Sequence, residues 1–147
     1  MILSGTEIRR RLGDRSLQGD LVIRPYSEEC QQPASYDLRA HGNAVLKKGT
    51  CTLISSLEWV ELPPDLAGTI RCRSSFGRRG VILGAGFVDP GFRGQLTLCL
   101  SNLGSTDIVI YQNDRVVQMV LQEVRGKGQL YDGRYQDSNG VVEADNA

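Results

Sequence analysis

One carboxylate, Asp89, stands beside a Pro-Gly turn in the stretch GAGFVDPGFRG, residues 84–94. An aspartate before a proline commonly just caps its turn. Beside a polyphosphate the same group has another use: it can orient and deprotonate a water. A second stretch could bring the polyphosphate. In RCRSSFGRRG, residues 71–80, Arg73 is followed by the hydroxyls of Ser74 and Ser75, then by Arg78 and Arg79. A guanidinium fork donates paired hydrogen bonds to phosphate, and hydroxyls with turn amides complete an anion nest. An ordinary exposed basic turn has the same composition, so this stretch alone leaves both readings open. Phosphate charge beside Asp89 would call for a metal. Magnesium, Mg2+, held mostly by the substrate's own phosphates and by water, is the natural choice. No protein metal site is expected: none of the four cysteines forms a CxxC pair, and His41 is the sole histidine.

The segment after the turn, GQLTLCLSN, alternates with period two. Leu96, Leu98 and Leu100 fall on one face of a strand. Gln95, Thr97, Cys99 and Ser101 fall on the other. A thiol thus sits in the middle of a polar face.

The elements that must hold these residues are mostly strands. DLVIRP, ASYDLRA, GTCTLISSLEWVELP, AGTIRCRSS, GVILGAG, GQLTLCLSN, TDIVIYQ and DRVVQMVLQEV are short and rich in β-branched residues. Gly, Pro, Asn or Asp usually separate them. This pattern predicts an all-β sandwich, jelly roll or barrel. One helix is predicted near the start, in SGTEIRRRLGD. Ser4 caps it, Glu7 completes a capping box, Ile8 and Leu12 share a face, and Gly13 ends it. Arg9, Arg10 and Arg11 read as a solvated face. From about Gly126 the sequence turns polar and rich in glycine. This divides the chain into a β domain, residues 1–125, and a C-terminal arm, residues 126–147. Arg134 and Tyr135, a charge and a ring side by side, could meet a phosphate and a base together.

A chain of 147 residues suits one domain. Lys plus Arg and Asp plus Glu balance at 17 each, which argues against nucleic-acid or membrane partners bound through bulk charge. No apolar run approaches a membrane span, and MILSGTEIRRRLGD has no signal-peptide core. A cytoplasmic protein with reduced thiols is expected.

Four stretches, taken together and in order, resemble the dUTPase and dCTP deaminase superfamily. They are PASYDLRA (33–40), RSSFGRRG (73–80), GAGFVDPGFRG (84–94) and NDRVVQMVL (113–121). The resemblance spans roughly residues 20–140. It implies a distorted jelly-roll or β-barrel subunit in a homotrimer, with active sites at subunit interfaces. It also implies roles. Asp89 would hold the attacking water and meet the sugar 3′-hydroxyl. Arg73, Ser74 and Ser75 would bind phosphates, supported by Gln118. Gly84, Ala85 and Gly86, with Val88 beyond them, would bring main chain against a pyrimidine. Phe92 stands where dUTPases carry a tyrosine packed on the deoxyribose. Arg134, Tyr135 and Ser138 would lie on a closing arm. Asp37 would orient the phosphate site or hold a turn.

The deaminase branch carries an acid/base glutamate in a pattern like Thr-Leu-Glu-Leu. This chain reads Thr97-Leu98-Cys99-Leu100. A thiol with a pKa of about 8.5 is a poor general base at neutral pH. Two features lean the other way: Ser75-Phe76 replaces the Gly-Leu of dUTPases, and the tail GRYQDSNG is nearer to the deaminase tail. The expected activity is hydrolysis of dUTP to dUMP and pyrophosphate. The alternatives are a dCTP deaminase, a bifunctional deaminase and diphosphatase, or a non-catalytic deoxynucleotide-binding regulator.

Overall fold

The computed structural model describes residues 1–144, so the last three residues of the predicted arm lie outside the described residues. Helix α1 spans Gly5–Arg11. Strands follow as β1 (Val22–Arg24), β2 (Tyr36–Arg39), β3 (Ala44–Leu46), β4 (Cys51–Glu61) and β5 (Leu66–Cys72). A one-turn helix α2 (Ser74–Gly77) precedes β6 (Val81–Gly84), β7 (Phe87–Val88), β8 (Arg93–Asn102), β9 (Ile108–Ile110) and β10 (Arg115–Glu123). One sheet has the order β1-β4-β8-β6 and another β2-β10-β5-β7, while β3 and β9 form a two-stranded ribbon. All these pairings are antiparallel. The expected all-β architecture holds.

The alternation read from the sequence decides which faces meet. Leu98 and Leu100 of β8 and Ile54 and Val60 of β4 are buried. They join Leu66 and Ile70 of β5 and Val117, Met119 and Leu121 of β10 in one core cluster. Removing such a side chain from water contributes roughly 1.5–3 kcal/mol each. Two short strands escape the pattern. Only Leu46 of β3 is buried, and β7 has two residues, too few for a period to register. Ser74 and Ser75 belong to a helical turn, not to the end of a strand: the amides of Phe76 and Gly77 both return to the Arg73 carbonyl at 3.0 Å.

The N-terminal helix forms as read, with Ser4 Oγ accepting the Glu7 amide at 3.2 Å. Three details differ. The Glu7 carboxylate turns to Arg10 instead of back to the cap. The helix ends at Arg11 with Leu12 as its C-cap, because Gly13 donates its amide to Leu21 across the next loop. The arginines are not merely solvated: Arg9 pairs with Glu28, and Arg11, 13% exposed, holds Asp65 through both terminal nitrogens at 3.1 and 2.7 Å.

The two main sheets are also joined by charge. Strand β4 changes register between Ser55 and Trp59, and there Glu58 turns fully inward. Its carboxylate accepts from Arg39 Nε of β2 at 2.7 Å and from the Arg39 amide at 2.9 Å. Burial nevertheless pushes the Glu58 carboxyl up, with the arginine opposing. A carboxyl raised by folding favours the folded state at low pH, and that contribution fades as pH rises past the raised value. Arg39→Ala strands the buried carboxylate, so we expect a loss of about 3–5 kcal/mol at neutral pH. Urea melts should show the deficit shrinking in mild acid, where a proton discharges Glu58.

Candidate functional site

Asp89, Pro90, Gly91 and Phe92 make a tight turn. The Phe92 amide donates to the Asp89 carbonyl at 3.1 Å, and Gly91 takes φ 84° at the third position, the place where a Pro-Gly type II turn demands it. The turn delivers the Asp89 side chain, exposed, to the wall of a cavity of about 420 Å³. The loop Gly84–Gly86 forms one edge. Ala85 and Gly86 both have positive φ, 62° and 108°, and the Gly86 carbonyl is anchored by the Ile70 amide at 2.6 Å. Leu53, Ile70, Leu83 and Val88 line the apolar part, and Gln95, Thr97 and Cys99 of β8 the polar part. Phe92, Tyr131 and Tyr135 stand around it. Such a cavity, mostly apolar with a few convergent polar groups, suits a small planar ligand.

The arm forms the rest of the wall. Past Glu123 the chain docks on its own β domain. Tyr131 donates its amide to Pro90 at 2.8 Å, and its ring meets Phe92 edge-on, centroids 5.6 Å apart. Ser138 pairs in parallel with Gly94, its carbonyl accepting the Gln95 amide at 2.8 Å. Further on, the polar face of β8 takes over. Gln95 Oε1 accepts the Gly140 amide at 2.6 Å and Thr97 Oγ1 the Val142 amide at 2.9 Å. Gly94 is required for this approach, since a Cβ there would lie 2.8 Å from the Ser138 nitrogen. Arg93 completes the latch with two hydrogen bonds to Asp137, at 2.9 and 3.0 Å.

Asp89, Gly86, Val88, Phe92 and Tyr135 are therefore brought together, with Ser138 and Cys99. Arg73, Ser74, Ser75, Gln118 and Arg134 do not line this cavity. Arg134 is exposed on the arm. The others gather at the β2-β10-β5 sheet. Arg73 Nε lies 3.0 Å from Asp37, a carboxylate 2% exposed; Arg115 approaches the same oxygen at 3.6 Å. Gln118 stands in register between Asp37 and Arg71, and Ser74 and Ser75 are exposed on α2. Burial pushes the Asp37 carboxyl up, while the charges of Arg73 and Arg115 oppose the rise. The described residues thus hold an apolar cavity with one acid and a separate basic cluster seated on a buried acid.

Sequence reasoning missed the Arg93–Asp137 latch and the structural work of Gln95. The latch joins residues 44 apart, which no local pattern marks. Gln95 is buried, its Nε2 held by the Ser56 carbonyl at 3.0 Å and by His41 Nδ1 at 3.2 Å; the alternation of β8 marked its face but not its partners. Burial pushes the Cys99 thiol up, away from the reactive thiolate. Among the described residues, Asp89 is the one carboxylate on the cavity wall, and no three His, Cys, Asp or Glu side chains could jointly hold a metal ion. That donor set fits a cation carried in on phosphates, not one caged by protein.

The dCTP deaminase-like family matches residues 40–124. This chain belongs to that family. A dCTP deaminase of Pyrococcus abyssi is 33% identical over 147 residues, covering 89% of this chain and 96% of the relative. The "dCTP deaminase, dUMP-forming" of Aquifex aeolicus is 33% identical, covering 97% of this chain and 93% of that one. Among solved structures, the EIAV dUTPase superposes with a TM-score of 0.62 at 16% identity, covering 78% of this chain and 98% of its own. The dCTP deaminase of Agrobacterium tumefaciens gives 0.67 at 21% identity over 82% of this chain and 47% of its own. The deaminase-like chain therefore has the dUTPase-type jelly-roll fold. No helix among its described residues is long and apolar enough to cross a membrane.

The latch should respond to pH. The Arg93 guanidinium holds the Asp137 carboxyl below its ordinary range. A carboxyl lowered by docking favours the docked arm above the ordinary aspartate range, and the preference is lost as pH falls through the lowered value. The protection factors of amides 137–142, hydrogen-exchange rates corrected for the slower intrinsic exchange in acid, should fall as pH drops. They should be low already at neutral pH in Arg93→Ala.

Proposed function

We propose that this deaminase-like protein hydrolyses dUTP to dUMP and pyrophosphate, with Asp89 activating the attacking water. The observation that carries the reading is the pairing on one cavity wall. An exposed carboxylate is present at the turn, while a neutral, half-buried thiol, Cys99, occupies the strand position where the resemblance places a deaminase glutamate. A cavity so equipped can orient water but has no carboxylate on β8 to shuttle protons at the base. The relative named for forming dUMP supports a dUMP product.

In this reading Asp89 accepts a proton from a water aimed in line at the α-phosphorus. The phosphorus–oxygen bond to the β-phosphate breaks and pyrophosphate leaves. Gly84–Gly86 present main chain to the base, Phe92 packs on the sugar, and Tyr135 with the latched arm excludes bulk water. Magnesium on the phosphates would supply charge neutralisation. The basic cluster of Arg73, Ser74, Ser75 and Gln118 lies outside this cavity. In the homotrimer implied by the resemblance, it would face the cavity of a neighbouring subunit and bind the phosphates there.

A second reading, dCTP deamination, is favoured by the names of the sequence relatives. It needs a proton carrier other than Cys99. Purified protein given dUTP or dCTP, each with and without magnesium, distinguishes the two. Magnesium-dependent dUMP and pyrophosphate from dUTP, with dCTP unchanged, is the expected result. Ammonia from dCTP would overturn it.

Asp89→Asn should lower dUTP turnover by about 10²- to 10⁴-fold with nucleotide binding retained, as judged by pyrophosphate release beside calorimetry. The shared site has its own test. Asp89→Asn and Arg73→Ala trimers, each inactive, should regain measurable activity after being unfolded, mixed and refolded together. Mixed trimers then contain sites with both native residues.

A further inference from the structure

Strand β8 pairs with β4 so that Cys99 lies opposite Leu53 and Ser101 opposite Cys51. Directly opposed residues in an antiparallel ladder share a face, and so do residues two apart on each strand. Cys51 and Cys99 therefore project from one face as diagonal neighbours. On its other side Cys99 faces Gly84 of β6, which has no side chain to cover the sulfur. Cys99 is half-buried and lines the cavity. Cys51 is exposed and opens β4. The thiols lie within electrostatic reach of each other: Cys99 is pushed up first by burial and then by the negative charge of Cys51. The other cysteines are placed differently. Cys30 is buried, and Cys72 ends β5 opposite Val117 in the second sheet.

We propose that Cys51 and Cys99 form a redox modification site at the rim of the cavity, closing to a reversible disulfide on exposure to peroxide. The exposed Cys51 thiolate attacks first. A sulfur–oxygen bond forms, the peroxide bond breaks, and the departing hydroxide leaves as water with the thiol proton. The Cys99 sulfur then attacks the Cys51 sulfur as its proton passes to the departing oxygen, the sulfur–sulfur bond forms, and the second oxygen leaves as water. Two thiols and one peroxide thus give one disulfide and two waters. Diagonal neighbours sit about 7–8 Å apart between Cα atoms, and a disulfide spans about 4.4–6.8 Å. Closure therefore draws the first residue of β4 inward by roughly an ångström. The turn before it, with Gly49 at φ 77° and nothing within 4 Å of where a Cβ would sit, leaves room on that side for the movement. The bond carries the Cys99 sulfur off the cavity wall and toward β4, so oxidation reshapes the cavity whichever nucleotide it takes.

The experiment needs no nucleotide. Full-length protein is treated under native conditions with an equimolar amount of hydrogen peroxide, then mapped by mass spectrometry after tryptic digestion without reduction. The expected product has lost two hydrogens. Its free thiols fall from four to two, peptide 49–71 is linked to peptide 94–115, and dithiothreitol reverses the change. Cys51→Ser and Cys99→Ser should each abolish the link, while Cys30→Ser and Cys72→Ser keep it. Four surviving thiols, oxidation to sulfinic acid with no link, or a link through any other pair would overturn the proposal.

Discussion

Strand β8 must satisfy two environments with one backbone. Leu100 lies in the shared core, Leu98 belongs to the core and also meets the cavity, and Gln95, Thr97 and Cys99 present the cavity's polar face. Because the side-chain period is two, a slip of one residue would exchange the sets entirely. The register is therefore held from both sides, by β4 along nearly its whole length and by β6 at its far end. The irregularity in β4 belongs to this constraint. Where extra residues loop out, Ser56 Oγ accepts the Leu96 amide at 2.8 Å and donates to the Glu58 carbonyl at 2.8 Å, so the ladder is mended where it is broken. The same loop turns Glu58 to Arg39. One bulge thus sets the phase of the cavity wall and ties the sheets together.

The basic cluster obeys a different logic. A buried Asp37 would be costly alone. Arg73 and Arg115 offset that cost and are in turn held in place. The Arg73 guanidinium is thereby oriented and already shared with a carboxylate, so an anion meeting it would have to compete with an existing interaction.

Much of this architecture was legible in the residues. Alternation in β8, β-branched runs and Gly, Pro, Asn and Asp punctuation placed the main strands, and Asp-Pro-Gly placed Asp89 at its turn. What failed to show had physical causes. Strands β3 and β7 are too short for a period. Ser74 and Ser75 looked like strand because Arg71 to Ser75 has no breaker, yet the chain leaves the sheet at Arg73 to make α2. The cavity gathered the aspartate, the ring of Phe92 and the hairpin, but Arg73, Ser74, Ser75 and Gln118 fell outside it. Composition and spacing carry no information on which face of which sheet a motif will meet. Likewise Arg93 and Asp137 are unremarkable until the arm folds back.

That folding back has a kinetic meaning. The arm is covalently joined to the surface it covers, and the connecting segment from Val124 to Leu130 is short. Its closing is a first-order event, governed by an effective local concentration and not by how many molecules share the solution. A cover borrowed from a separate molecule would fall away on dilution. This one stays as closed in a dilute sample as in a crowded one.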